Sequence, residues 1–257
     1  MGTEGDPRSV MLLGPDHTDL GAVATRPLGP HVAIALSRGK YLKGYPSLDP
    51  NEDGVLASVS GKSVCLAVAD GHNGFDAAGT ALQAIVAALP ALHSAALPDT
   101  KPLLSRTLVD ARARLRLSRD HAGQQRRDSG CALIIALIGD RRLTLCSLGD
   151  AGVVILRGRR VRNLVKPSPY MGWDRDLAAV QITRLRLKVA DVVILGTDGL
   201  FTFLGDPKAD ALRHATAADD AGKVAERLID RAFAGGAGDN IAVAVVMSSG
   251  PDDAARR

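Results

Sequence analysis

Carboxylates stand at the ends of apolar runs that lie far apart in this chain, and any fold has to account for them together. Asp70-Gly71-His72 closes the apolar run 63–69, and Asp198-Gly199-Leu200 follows a second run, 192–196. Glu52-Asp53 precedes the first run, and Asp239-Asn240 precedes a third, 241–247. Apolar runs this short, bounded by turn residues, read as buried strands, so each acidic group sits at the rim of a core. Burying an unpaired carboxylate costs on the order of several kcal/mol, so a cluster of them requires a cation between them. An all-oxygen donor set suits a hard ion such as Mg²⁺ or Mn²⁺. The chain is therefore expected to bring these strand ends to one place and build an acidic two-metal site.

The turns decide the fold class. Strand-like runs occupy 32–37, 55–59, 63–69, 132–138, 143–148, 153–156, 181–187, 191–196 and 241–247. Several are joined by tight polar links, Ser60-Gly61-Lys62, Gly139-Asp140-Arg141-Arg142 and Arg157-Gly158-Arg159, too short for parallel crossovers. Helical periodicity appears in separate blocks. Segment 76–93 aligns Leu82, Ile85, Val86 and Leu89; segment 102–119 aligns Leu104, Leu108, Ala111 and Leu115; segment 216–233 opens on a candidate Thr216 cap and ends before Gly235-Gly236. Hairpins and helices in blocks define an α+β layered fold. With 257 residues, 46% of them hydrophobic, one domain is the economical reading. Residues 1–18 and 248–257 are rich in Gly, Pro, Asp and Arg and are expected to fray, leaving 19–247 as the domain. Segment 165–179, with two prolines and no periodicity, reads as an exposed loop or flap.

The net charge of +4 is mild. The basic face of the second helical segment (Arg106, Arg112, Arg116, Arg119) lacks interleaved aromatics, so it reads as a solvated face and no nucleic-acid partner is expected. Cys65, Cys131 and Cys146 all lie within apolar runs, which fits a reducing cytoplasm better than a disulfide framework. Neither a secretory leader nor a membrane span is expected from the hydropathy pattern.

Taken in order, Asn51-Glu52-Asp53, Val68-Ala69-Asp70-Gly71-His72-Asn73-Gly74, Gly149-Asp150, Thr197-Asp198-Gly199-Leu200 and Asp239-Asn240 resemble the motifs of the metal-dependent protein phosphatases, the PPM or protein phosphatase 2C family, in its bacterial single-domain form. The resemblance covers residues 30–247. It implies a four-layer αββα sandwich of two antiparallel sheets flanked by helices. It also implies phosphomonoester hydrolysis, on protein serine or threonine, by in-line attack of a metal-bridging hydroxide. The implied metal ligands are Asp70, the carbonyl of Gly71, Asp198 and Asp239, with Glu52 and Asp53 holding metal-bound waters; Asp53 and His72 are the catalytic candidates, His72 as general acid. The implied cofactors are two Mn²⁺ or Mg²⁺ ions, with a third open. The implied partner is a phosphorylated protein, with a kinase-regulated partner in signalling.

The chain departs from the family pattern in three places. Leu48 stands where the family has a phosphate-binding arginine, leaving Lys40, Lys43 or Arg38 as substitutes. The Gly-Asp-Ser-Arg turn is Gly149-Asp150-Ala151-Gly152, so Asp150 reads as structural. The third-metal aspartate position falls on Arg127, with Asp128 one residue later. Leu48 and the Gly149–Gly152 turn keep open a catalytically weak phosphatase-like binding module, and a small-metabolite phosphatase is a second alternative because nothing in the 165–179 flap specifies a peptide.

Overall fold

The computed structural model describes residues 7–96, 99–121, 126–172, 180–205 and 208–248. Its named strands form two six-stranded antiparallel sheets. The first has the order β1 (Arg8–Leu13), β4 (Gly54–Ser60), β5 (Ser63–His72), β6 (Gly130–Gly139), β7 (Arg142–Leu148) and β10 (Gln181–Arg186). The second has the order β2 (Ala24–Pro27), β3 (Val32–Ser37), β12 (Ile241–Met247), β11 (Val192–Gly196), β8 (Gly152–Arg157) and β9 (Arg160–Asn163). The sheets face each other across a shared core. Helices α1 (Asp76–Ser94) and α2 (Thr100–His121) cover the outer face of the first, and α3 (Asp198–Phe203), α4 (Lys208–Ala215) and α5 (Ala221–Ala234) cover the second. This is the αββα sandwich the sequence pointed to.

Side-chain alternation explains both the sequence pattern and the placement of the site. On β5, Leu66 and Val68 enter the core between the sheets, while Cys65, Ala67 and Ala69 pack beneath α1 and α2. On β11, Val193 and Leu195 point inward and Val192 and Ile194 outward; on β12, Ala242 and Ala244 point inward and Val243 and Val245 outward. Both faces of each sheet are covered, so these strands are continuously apolar instead of alternating with polar residues. Continuing the period of two carries Asp70 and His72 on β5, and Thr197 and Asn240 just beyond β11 and β12, toward the gap between the sheets at one end.

Several elements differ from the sequence reading. Residues 8–13, expected to fray, form edge strand β1, in register with β4 from Arg8↔Val59 to Leu13↔Gly54. They hold because Val10 and Leu12 pack between the sheets while Met11 and Leu13 pack on the helix side. Asp70-Gly71-His72 is the end of a strand and not a turn: β5 stays paired with β6 through His72↔Gly130, and the chain reverses only at Asn73 and Gly74, with φ of 58° and 102°. Asp198-Gly199-Leu200 opens α3. Thr216 does not cap the last helix; its hydroxyl donates back to Leu212 O at 3.0 Å, while Asp220, extended at φ −138°, accepts from Lys223 N at 2.8 Å and caps α5.

Helix α1 is long and apolar enough by composition to match a membrane span, against expectation, but half of that window is buried inside the fold. Arg119 is not a solvated member of the α2 basic face: it donates to Gly172 O at 2.6 Å and to Ser129 O. The loop read as an exposed flap is fastened over 168–171, where Cys131 and Met171 exchange backbone hydrogen bonds of 3.0 and 2.9 Å and Ser168 N donates to Gly149 O. Residues 173–179 of that loop lie outside the described residues.

Candidate metal centre

The first sheet supplies Asp70 from the end of β5 and Glu52 and Asp53 from the segment entering β4, all at 6% exposure or less. Gly71 allows these two segments to close. Its N–H donates to Glu52 O at 3.2 Å, and a Cβ at Gly71 would lie 2.4 Å from that same oxygen. Gly199 plays the same part in the second sheet, where a Cβ would lie 2.0 Å from Asn240 O. Asn240 ties the two halves together: its side-chain oxygen accepts from Glu52 N at 2.9 Å, and its amide donates to the carbonyls of Arg38 and Pro50 at 3.1 Å each.

Within this frame the carboxylates converge. One oxygen each of Asp53, Asp70 and Asp150 is buried without a hydrogen-bond partner. Ligand atoms of Asp70, His72 and Asp150 all lie within 4.8 Å of one another. Burial pushes the Asp70 carboxyl well above the ordinary carboxylate range, and the charges of Asp53, Asp198, Asp150 and Asp239 push it further. Asp53 is likewise raised by burial and by Asp239, against the opposing pull of Lys43. Asp198 is raised by burial, Asp239 and Asp150. A set of mutually repelling carboxylates with unsatisfied buried oxygens fits divalent cations, which would remove both the repulsion and the unmet acceptor capacity.

Sequence reasoning missed the part played by Asp150. It follows an apolar run as Asp70 does, and the loss of the following serine and arginine led to a structural reading. The structure places its carboxylate beside Asp70, with one oxygen accepting from the Tyr170 hydroxyl. The Tyr170 ring stands edge-on to His72, with centroids 4.6 Å apart. Of the substitutes for the missing arginine, Lys43 reaches the centre, with Nζ 3.1 Å from Glu52 Oε2 and 3.3 Å from Asp239 Oδ1. Its burial alone would lower its pKa, but Asp239, Asp53 and Glu52 outweigh that and hold it above the ordinary lysine value. Lys40 is exposed, with Nζ 5.9 Å from the centroid of the Tyr41 ring, and Arg38 donates to Thr18 O at 2.8 Å. Leu48 contributes only its backbone N–H, 3.3 Å from Glu52 Oε1. Tyr45, unforeseen, donates its hydroxyl to Asp239, 3.0 Å from Oδ2.

Around the centre, Arg126 joins the two approaching segments. Its guanidinium forks onto both oxygens of Asp49 at 2.9 Å and reaches Asp76 at 2.7 Å, at the start of α1. Gly74 N donates to Glu52 Oε1 at 2.7 Å and Phe75 N to Asp49 Oδ2 at 2.9 Å. Asp128, the third-metal candidate, is exposed on the turn before β6 and offers its carbonyl to the Asn73 amide at 3.4 Å.

Two facing antiparallel sheets, helices outside, and acidic groups converging at one end of the sandwich define a divalent-metal phosphatase architecture. The sequence profile of the protein phosphatase 2C family matches residues 47–231, and the chain belongs to that family of metal-dependent phosphatases. A comparison with characterised protein sequences finds no significant match. Among solved structures, the chain is similar to the Mycobacterium tuberculosis serine/threonine phosphatase PstP/Ppp, with 21% identity, a TM-score of 0.66, and coverage of 89% of this chain and 99% of that one. It is also similar to the PstP catalytic domain in complex with two manganese ions, with 21% identity, a TM-score of 0.67 and coverage of 89% and 100%. A third similar structure is the Ser-Thr phosphatase MsPP from Mycobacterium smegmatis in complex with cacodylate, with 18% identity, a TM-score of 0.60 and coverage of 90% and 99%. At these identities the likeness establishes the fold.

Proposed function

We propose that this protein hydrolyses phosphate monoesters on serine or threonine side chains of proteins, with two Mn²⁺ or Mg²⁺ ions held at the centre described above. The observation that carries this reading is the convergence of carboxylates from both sheets, with buried oxygens on Asp53, Asp70 and Asp150 that no protein donor satisfies. The single charge of Lys43 cannot balance Glu52, Asp53, Asp70, Asp198 and Asp239 together.

Asp70, Asp198 and Asp239, with the carbonyl of Gly71, would hold the ions, and Asp150 joins that set. When bound, divalent cations acidify water and neutralise phosphoryl oxygens. Asp53, buried beside Thr197, orients the attacking water together with Glu52. Attack runs in line, opposite the oxygen that leaves. His72, on the same face of β5 as Asp70, donates a proton to that oxygen as it departs. Lys43 supplies positive charge for the arriving phosphate, the part the sequence left open among Lys40, Lys43 and Arg38. The three buried, unpaired thiols support placing the protein in a reducing cytoplasm.

The test is Mn²⁺-dependent turnover of an aryl phosphate and of phosphoserine peptides, with a chelator control and a calorimetric Mn²⁺ titration. Turnover abolished by chelator, with Mn²⁺ binding lost in Asp198→Asn, supports the reading. Absence of turnover at saturating Mn²⁺ would sink it in favour of a binding module. Turnover of sugar phosphates or nucleotides far above phosphopeptides would move it to a small-metabolite phosphatase.

A further inference from the structure

Resting on the phosphatase reading above, we propose that Tyr41, Leu42, Tyr45 and Leu48 form a docking lip for an extended polypeptide whose phosphorylated residue is flanked by apolar side chains. The exposures of these four residues are 53%, 67%, 50% and 42%. The other large exposed hydrophobics among the described residues, Leu20, Val86, Val109, Leu117 and Val189, are scattered along the sequence. Single exposed apolar side chains are normal on a protein surface, whereas a cluster within one short segment marks an interaction site.

The lip is continuous with the metal centre. The Tyr45 hydroxyl lies on Asp239 while half of the residue stays exposed, so the apolar surface begins one side chain from the candidate ligands. Two of the chain's three tyrosines stand here, and the third, Tyr170, stands against His72 within the same centre. The chain places all three of its tyrosines around the point where a phosphoryl group would arrive.

The backbone is tied down where the segment begins, at Gly39, Lys40 and Tyr41, although its side chains face solvent. Lys40 N and Tyr41 N both donate to Ala237 O, at 2.9 and 3.1 Å. Gly39 takes a φ of 99° with its Cβ position 2.4 Å from Asp239 O, an approach that only glycine permits. An apolar surface anchored at one end in this way loses less entropy when a ligand covers it than a wholly free loop would. Lys40 and Lys43 stand 5.9 and 5.3 Å from the centroids of the Tyr41 and Tyr45 rings, which keeps positive charge at the edge of the lip. That arrangement suits a polypeptide, with apolar side chains to lay on the rings and a carbonyl oxygen to meet the exposed ammonium of Lys40. A small phosphate ester fills the centre and leaves the lip exposed.

The experiment compares kcat/KM for two phosphothreonine peptides of equal length and charge, one with Leu and Phe beside the phosphorylated residue and one with Gly and Ser there. Wild type, Leu42→Ser and Tyr41→Ser/Leu42→Ser are measured with Mn²⁺, and an aryl phosphate serves as reference. The wild type is expected to prefer the apolar peptide by about tenfold or more, the discrimination that burial of apolar groups provides, and the double variant to bring the ratio near one. Equal kcat/KM for the two peptides in wild type, or an undiminished ratio in a double variant that still turns over the aryl phosphate, overturns the lip and leaves the phosphatase standing. No turnover of peptide or aryl phosphate by the wild type overturns the phosphatase reading and the lip with it.

Discussion

The ammonium of Lys43 lies 3.3 Å from Oδ1 of Asp239, with Glu52 Oε2 a further contact at 3.1 Å, so a protein cation already occupies part of the acidic cluster. A divalent ion drawn to Asp239 must share that carboxylate with the lysine. Lys43→Met keeps the apolar stem and removes the competing charge. Mn²⁺ affinity is expected to rise by about tenfold, equivalent to ~1.4 kcal/mol, while the metal-free protein melts at a lower temperature because Glu52 and Asp239 lose their counter-charge. Calorimetric titration and thermal melts with and without chelator check both halves. An unchanged or weaker Mn²⁺ affinity refutes the competition.

The charges of Asp53, Asp198, Asp150 and Asp239 all bear on Asp70, and its carboxyl is buried. Asp70→Asn is expected to abolish turnover and weaken Mn²⁺ binding by at least about a hundredfold, as loss of a metal ligand would. The metal-free variant is expected to be more stable than wild type, by ~1 kcal/mol or more, since a buried, repelling charge is gone. Urea titration in the presence of chelator tests this sign, and a destabilised variant contradicts it.

Gly71 admits no side chain without displacing Glu52. In Gly71→Ala, the added Cβ meets a backbone oxygen at 2.4 Å, and the two ligand-bearing segments must separate. The expected result is a folded protein with Mn²⁺ affinity reduced at least about tenfold and stability reduced by ~1–3 kcal/mol, the range for overpacking. Near-native affinity would show that the carbonyl of Gly71 and the carboxylate of Glu52 need no fixed relation.

Away from the centre, His93 near the end of α1 bridges Ser58 Oγ at 2.8 Å and Ser63 Oγ at 2.9 Å, latching the helix onto the β4–β5 hairpin. Burial lowers its pKa below the ordinary histidine value. The unfolded chain then binds the proton more readily than the folded one, so stability is full above the unfolded value of ~6.5 and falls as pH drops through it. His93→Gln is expected to lose stability at pH 7.5 but to narrow its deficit at pH 5. A deficit that grows on acidification would reverse the assigned shift.

Much of this architecture is legible in the residues themselves. Runs 32–37 and 241–247 match β3 and β12 to the residue because continuous β-branched and small apolar residues leave few alternatives when both faces are covered. The acidic groups at 52, 53, 70, 198 and 239 announce themselves by interrupting such runs. Strand β1 was hidden because its first residues are polar and its apolar stretch is short, so it is held by partners at Gly54–Ser60 that local sequence does not reveal. Asp150 and Tyr170 escaped for a similar reason: the hydrogen bond that orients them joins residues twenty positions apart. The capping of α5 by Asp220 instead of Thr216 depends on where α4 stops, which is a tertiary decision.

The placement of β12 between β3 and β11 also bears on how the protein is made. Strand β3 can pair with β2 as soon as it is made, but its other neighbour begins only at Ile241, so on the ribosome that edge waits for about ten seconds or more at synthesis rates of ~5–20 residues per second. Neither VAIALS nor IAVAVVM carries a charge or a proline, and unpaired segments of this composition are the kind that self-associate. That edge of β3 therefore stays open until β12 emerges, and the second sheet, with Asp239 just ahead of β12, closes only after synthesis has passed residue 247.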